Sequence, residues 1–358
     1  MNIGIIHGFV GGGGGTEKTL LSILEALENT NHKVTLYTFS KPKLNTKKFI
    51  VKSLIPISIP MFGLYQRTME LKLMLKAKNE DILIQTSGGF AIPENTKQKI
   101  VIYCHSDFSS ELEKTTTKYK GIWGKYYKKY YEKISKSLER IHQENILLIS
   151  NSKYIQDSIE KIYKKKSYLL YPPLDLSEFN PNSPKKQSII TVSRFSPEKN
   201  LKFAIDVLKD IQTPSIIIGN TKTKSNLLYF NTLNSKIKNE SSVSQITMLK
   251  NIQRTILQKN IQESKVYFHP SSETFGITVV ESISAGCIPI VPNDSAHLET
   301  VPFSELRYEP NNISDAQKKI KLALEGNFDQ LIEPLTESVK KFDKENFKKS
   351  FLSIIDNL

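Results

Sequence analysis

Residues Ser271 to Val291 read SSETFGITVVESISAGCIPIV. A polar loop carrying Glu273 and Gly276 runs into an apolar helical pattern at Val279, Val280 and Ile283. A small-residue turn follows at Ala285-Gly286, and then an apolar run from Ile288 to Val291. With a further apolar run just upstream (Val266 to His269), the window has the order strand, loop, helix, strand. Glu273 falls in the loop, and Glu281, with seven residues between the two, projects from the first turns of the helix. A glycine-containing loop that feeds a helix N-terminus offers unpaired backbone N–H groups and the positive end of a dipole, which suits a phosphate. Two carboxylates beside such an anion site suit the hydroxyls of a sugar and a ribose. The window is therefore a candidate sugar-nucleotide site. Taken alone it leaves a blander and less favoured account, with Glu281 a solvated helix residue and Gly276 an ordinary turn.

Outward from this window, apolar runs alternate with helical patterns. The predicted strands are Ile3 to His7, Lys33 to Phe39, Asp81 to Gln85, Lys99 to Cys104 and Ile146 to Ser150, then Ile189 to Val192, Ser215 to Ile218, Val266 to His269 and Ile288 to Val291. Helical patterns between most of them argue for parallel sheets with right-handed crossovers. At 358 residues the chain exceeds one ordinary core. The segment LLYPPLDLSEFNPNSPKK is dense in proline and polar residues, which puts the inter-domain link near Pro172 to Pro184. Two domains are expected, 1–172 and 173–342. The last segment, 343–358, is a helix candidate through Phe347, Phe351, Ile354 and Ile355.

Two further segments suit anion binding. After the first predicted strand, Gly11 to Gly15 form a flexible turn ahead of a helix that begins near Lys18. Glycines let backbone approach an anion closely. In ITVSRFSPEKN, Arg194 and Lys199 follow a short strand; arginine forks onto two phosphate oxygens and lysine adds a point charge. The glycine turn fits neither common nucleotide loop. A Walker A loop needs glycine before its lysine, whereas here the run is Glu17-Lys18-Thr19. A dinucleotide fingerprint needs a third glycine and an acidic end to the next strand; Thr16 or Glu17 takes the first place and Ser40 the second.

Together these segments, in this order, resemble the retaining GT-B glycosyltransferases (glycosyl transferases group 1 / family 4-like, on their mannosyltransferase-like branch). The resemblance implies an α/β fold of GT-B type, two Rossmann-like domains with parallel sheets facing across a deep cleft. It implies an N-terminal acceptor-binding domain, onto which the helix 343–358 packs back, and a C-terminal nucleotide-sugar-binding domain. By position, Gly14, Gly15, Arg194 and Lys199 would embrace the donor diphosphate. Glu273 and the backbone of Phe275, Gly276 and Ile277 would hold the donor sugar and phosphates, and Glu281 the ribose. His105 closes the strand VIYCHSDF at the carboxyl end, where ligands sit in open α/β sheets. The family often has a histidine there, near the bond that forms, so His105 joins Glu273 as a catalytic candidate; a loop histidine capping the strand is the competing account. His7 suits a structural role. Glu17 is stabilising in a first helical turn with or without a ligand.

The implied reaction moves a hexose, mannose favoured, from a nucleotide-diphosphate sugar to a glycan or lipid-linked acceptor with retention. The mannose preference rests on a GGGGE-like opening and an HFGI-like acidic motif in relatives that use GDP-mannose. No Asp-x-Asp motif is present, so no metal and no cofactor are expected; Arg194, Lys199, loop amides and helix dipoles would meet the departing charge. Competing readings are a GT-B sugar-nucleotide epimerase and a non-catalytic sugar-nucleotide or polyanion binder. Ile246 to Leu249 falls near the nucleobase by family position. In PNDSAHLETV, Asp294-Ser295 stands where many relatives have a glycine pair, and a helix cap is expected there.

Composition agrees with an anion-binding chain. Fifty lysines and arginines against 36 acidic residues leave a net charge of +14, which attracts phosphates, nucleic acid or an anionic surface. No nucleic-acid motif accompanies the charge. Residues 114–141 place Tyr119, Trp123, Tyr127, Tyr130, Ile134, Leu138 and Ile141 at helical spacing among lysines. That pattern fits peripheral membrane contact, as in relatives with lipid-linked acceptors, or equally a core-facing stripe with a solvated lysine face. No stretch approaches a membrane span and no basic segment precedes the first strand, so a cytoplasmic location is expected, either free or peripheral at the cytoplasmic membrane face. Cys104 and Cys287 each lie in apolar surroundings and allow neither a disulfide framework nor zinc spacing.

Overall fold

The computed structural model describes the chain except residues 12, 43–47, 57–62, 89, 95, 109–120 and 240–244, and at 63–69, 122, 123, 126, 127, 130, 131, 133 and 239 it describes backbone alone. The chain divides into two compact units, Met1–Pro173 with Lys344–Leu358, and Leu174–Asp343.

The first unit holds β1 (Asn2–Ile6), α1 (Gly15–Leu27), β2 (Lys33–Ser40), β3 (Ile50–Ile55), α2 (Gly63–Lys76), β4 (Ile82–Gln85), β5 (Lys99–Cys104), α3 (Gly121–Leu138), β6 (Ile146–Ser150), α4 (Lys153–Tyr163) and β7 (Tyr168–Leu169). Its strands form one sheet in the order β3-β2-β1-β4-β5-β6-β7, paired in parallel. Both faces are covered, which is why strands such as ILIQ and ILLIS are apolar almost throughout. Alternate residues supply the two cores. Leu83, Ile100, Ile102 and Leu148 pack on one face, and Ile3, Ile5, Ile84, Val101 and Tyr103 on the other, as the period of two requires.

The second unit holds β8 (Lys186–Val192), α5 (Leu201–Leu208), β9 (Ser215–Gly219), α6 (Lys224–Asn239), β10 (Ile246–Lys250), α7 (Arg254–Glu263), β11 (Ser264–Phe268), α8 (Ile277–Ser284), β12 (Ile288–Pro292), α9 (His297–Thr300), β13 (Arg307–Tyr308), α10 (Ile313–Leu324) and α11 (Ile332–Val339). Its parallel sheet runs β10-β9-β8-β11-β12-β13. The final helix, α12 (Lys344–Asp356), belongs to the first unit and buries Phe347, Phe351 and Ile355 in the core that contains Ile3 and Ile5. Each such side chain contributes about 1.5–3 kcal/mol of apolar burial.

Strand order reverses between β1 and β4 in the first sheet and between β8 and β11 in the second. The loops that leave neighbouring strands on opposite faces there open a crevice at the carboxyl ends, the usual place for a ligand in an open α/β sheet. The strands β3, β7, β10 and β13 were not among the sequence expectations. All four lie at the ends of the sheet order.

Candidate functional site

The loop leaving β8 and the loop leaving β11 carry most of the candidate residues in the second unit. After β8 the chain passes Arg194 and makes a short turn, Pro197–Lys199, closed by Asn200 in the left-handed region at φ 50°. That turn aims Lys199 at Glu273: Nζ donates to Oε1 at 2.6 Å, both side chains being largely buried. His269, just past β11, donates from Nε2 to the same oxygen at 2.9 Å. The other ring nitrogen of His269 faces the Tyr267 hydroxyl at 3.1 Å, and that hydroxyl also meets Thr278 Oγ1 at 2.7 Å.

Burial opposes the charge on Glu273, but the His269 hydrogen bond and the Lys199 ammonium prevail and hold its carboxyl well below the usual carboxylate range. The group is therefore ionised at any physiological pH. Both contacts fall on Oε1, so among the described residues Oε2 accepts no hydrogen bond and is available to a ligand hydroxyl. Arg194 stands apart from this cluster, exposed, with Glu198 at 3.7 Å.

Helix α8 begins at Gly276, whose φ of +88° is the conformation that lets the loop turn into the helix without a Cβ penalty. No side chain caps this end. The N–H groups of Ile277 and Thr278 are first-turn donors without intrahelical acceptors. Phe275 is buried edge-on against Phe342 at 5.1 Å, so only its backbone is placed for a ligand. One turn on, Glu281 is almost wholly buried and receives Arg254 through both guanidinium ends, at 2.8 and 3.3 Å. Arg254 also bonds Glu178 at 2.5 Å and lies 5.7 Å from the Phe179 ring. Gly286, at φ +79°, closes α8 toward β12 against the Pro181 carbonyl, where a Cβ would collide.

The segment after β12 departs from the helix-cap expectation for Asp294-Ser295. Helix α9 is preceded by Ala296, with no side-chain cap. Asp294 and Ser295 bond instead to the Glu273 loop, through Ser272 Oγ to Asp294 at 2.6 Å and Glu273 N–H to Ser295 Oγ at 3.1 Å. His297 is buried and donates from Nε2 to the Ser271 carbonyl at 3.0 Å. Burial, with His269 nearby, lowers its pKa to about 4, so the ring is neutral.

In the first unit, the polar groups gather where β1, β4 and β5 end. His105 donates from Nε2 to the Thr86 carbonyl at 3.0 Å, its ring 4.9 Å from that of Tyr103, and Asn151 holds its carbonyl at 3.2 Å. His7 is buried with Nδ1 2.8 Å from Thr86 Oγ1; burial and the neighbouring His105 lower its pKa to about 3. Gly14 precedes α1 and Gly15 is its first residue. Glu17 folds back over the glycine turn, accepting from the N–H groups of Gly11 at 3.0 Å and Gly13 at 2.5 Å. The turn does bind a carboxylate, and it is the chain's own.

The second unit thus brings Lys199, Glu273, Gly276, Ile277 and Glu281 to one end of its sheet and leaves Arg194 exposed, with Glu198 as its neighbour at 3.7 Å. His269 and Arg254 were missed. A signal for His269 existed, since it closes its strand as His105 does and precedes Glu273 by one helical turn's spacing. Arg254 had none, because its partners lie 27 and 76 residues away in sequence. Of the basic-aromatic stretch, Tyr119 lies outside the described residues, as do the side chains of Trp123, Tyr127 and Tyr130; Ile134, Leu138 and Ile141 are buried. Cys104 and Cys287 are buried thiols; burial pushes Cys104 up, and Cys287 up to about 11. Among the described residues no group of three or more His, Cys, Asp or Glu could hold a metal ion, and no helix is long and apolar enough to cross a membrane.

Comparison with known proteins adds three findings. Residues 13–178 match the family model Glycosyltransferase Family 4, and residues 175–347 match Glycosyl transferases group 1. A GDP-Man:Man(3)GlcNAc(2)-PP-Dol alpha-1,2-mannosyltransferase of Dictyostelium discoideum is 22% identical over 255 residues, 64% of this chain and 50% of that protein, so the chain matches about half the length of this relative. Among solved structures, HepE from Anabaena in complex with UDP superposes over 100% of both chains (TM-score 0.77, 15% identity). A sucrose-phosphate synthase from Thermosynechococcus elongatus does so over 99% of this chain and 98% of that one (TM-score 0.76, 15% identity).

Proposed function

The chain belongs to the GT-B glycosyltransferases, and from that premise we propose that it moves a hexose, mannose favoured, from a nucleotide-diphosphate sugar to a glycan or lipid-linked acceptor. The observation that carries this reading is Glu273, held ionised between Lys199 and His269 beside the uncapped N-terminus of α8. A cationic side chain, helix N–H donors and a buried carboxylate with one open oxygen are the groups that a departing diphosphate and an electron-poor sugar require. Lys199 and Arg194 neutralise the leaving diphosphate, with the first-turn amides of α8 adding fixed donors. Glu273 hydrogen-bonds a sugar hydroxyl through Oε2, and its charge stabilises the positive character that develops on the sugar. Glu281, oriented by Arg254, accepts the ribose hydroxyls. Attack from the face of the leaving group gives retention, and the protein's own cations replace a metal. His105, Gly14 and Gly15 keep the roles that the resemblance implies.

The mannosyltransferase of Dictyostelium discoideum is named for GDP-mannose and a dolichol-linked acceptor, which supports mannose and a lipid-linked acceptor here. HepE has been solved with UDP and with UDP-glucose, which keeps uracil in contention for the base. Calorimetric titration with UDP, GDP and ADP, in the presence of a chelator, decides this. Tight binding of GDP supports the full reading, and tight binding of UDP or ADP corrects the donor. A folded protein that binds none of the three has no donor site, and the transferase reading fails.

A further inference from the structure

Ser295 sits at φ 50°, in the left-handed region that a serine adopts only at a cost and a glycine adopts freely. A non-glycine residue persists in that conformation where the contacts around it over-determine it. Here the hydroxyl has two partners: it accepts the Glu273 N–H at 3.1 Å and donates to Asp294 Oδ1 at 2.9 Å. The other bonds of the segment go to the same place. Asp294 Oδ2 accepts from Ser272 Oγ at 2.6 Å, Ala296 N–H donates to the Glu273 carbonyl at 3.1 Å, and His297 donates to the Ser271 carbonyl at 3.0 Å. Residues 294–297 therefore hold the backbone of Ser271 and of Glu273 and the side chain of Ser272 between them.

We propose that Ser295, steered by Asp294, is a positioning residue that fixes the backbone of Glu273 and so aims its carboxylate. This rests on the glycosyltransferase reading for its consequence, though not for its geometry. The reason is one of leverage. Lys199 and His269 fix only Oε1, and with the backbone loose the carboxylate can rotate about that anchored oxygen. Holding both the N–H and the carbonyl of Glu273 fixes the direction of its Cα–Cβ bond, which narrows that rotation and the range of positions open to Oε2. Placement to within a fraction of an ångström is what turns a nearby charge into a catalytic one. The hydroxyl itself touches no substrate; it acts through Glu273.

The test compares Ser295→Gly and Ser295→Asn with the wild type. Glycine keeps the turn and removes the hydroxyl; asparagine tolerates the left-handed backbone and restores an acceptor. Amide hydrogen exchange at Glu273, read on the whole protein, is expected to accelerate about tenfold in Ser295→Gly, with the melting temperature within a few degrees of wild type. Transfer turnover is expected to fall about ten- to hundredfold, while affinity for the free nucleoside diphosphate, which carries no hexose hydroxyl for Glu273 Oε2 to meet, falls by much less. Ser295→Asn is expected to recover part of both losses. Unchanged exchange at Glu273 in Ser295→Gly overturns the proposal, and so does a parallel loss of turnover and nucleotide affinity. A wild type that transfers no hexose from any of the three nucleotide classes refutes the transferase reading, and the exchange measurement still decides the clamp.

Discussion

Replacing Lys199 by methionine tests the charge balance at Glu273. The ammonium and Oε1 are 2.6 Å apart, and both side chains keep under a fifth of their exposure. At an effective dielectric of about 20 the gross attraction is about 6 kcal/mol. Most of it offsets the desolvation of the two charges, and removing one partner of a buried pair typically costs about 3–5 kcal/mol. His269 still donates to the same oxygen, so the expected loss is toward about 2–3 kcal/mol, a fall in melting temperature of roughly 5–10 °C for a unit of this size.

The pH dependence follows from the sign of the shift. The folded-state pKa of Glu273 lies below its unfolded value, so the stability it contributes is present above the unfolded value and disappears as pH falls through the folded one. In Lys199→Met the depression shrinks. The gap between wild type and variant should therefore be full at neutral pH, begin to close only within the ordinary carboxylate range, and vanish as pH falls toward the wild type's depressed folded-state value. Calorimetric melts at pH 7 and at about pH 2 measure both ends of that window. A second variant, Lys199→Met with Glu273→Gln, removes the stranded charge and should melt above Lys199→Met alone. Additive losses in the double variant, or a gap independent of pH, would refute this account of the pair.

Three further outcomes follow from the same geometry. Arg254→Leu leaves Glu281 buried without its two-ended partner; nucleoside diphosphate affinity measured by calorimetry should weaken about tenfold or more as the carboxylate loses its orientation, and unaltered affinity would remove Glu281 from the nucleotide site. Gly286→Ala places a Cβ against the Pro181 carbonyl at a backbone φ of +79°, so soluble yield and melting temperature should both drop, with a cost of at least about 2 kcal/mol. Phe351→Ala empties a fully buried position in the first unit, stacked at 6.1 Å on Phe347; denaturant unfolding should show a loss of about 3–5 kcal/mol.

Much of the chemistry was legible because it is local. Glu273, Gly276 and Glu281 lie within one βαβ window, and periodicity alone assigns the first to a loop and the last to a helix. The central strands were legible for a related reason. Parallel strands covered on both faces must be apolar throughout, and β1, β5, β6 and β12 announce themselves by composition. The edge strands gave no such signal. IVKSLI in β3 and ITMLK in β10 are half-exposed and mix lysine with apolar residues, because an edge strand has one neighbour and a partly solvated face. The strands β7 and β13 are two residues long and exist only because a neighbour offers a ladder.

What tertiary structure alone decided is how the charges are paired. Lys199 reaches Glu273 across 74 residues of sequence, Arg254 reaches Glu281 across 27, and Ser295 reaches Glu273 across 22. Sequence places each of these residues at an element's end, since propensity and periodicity act over a few neighbours. Which carboxylate meets which cation depends on the strand order β8-β11-β12, and that order is fixed by packing two faces of a sheet at once. The sequence by itself determined which loops carry the candidate groups; the assembled sheet decided that Glu273 is held ionised, that Glu281 is matched by Arg254, and that Asp294 and Ser295 bond to the Glu273 loop rather than cap a helix.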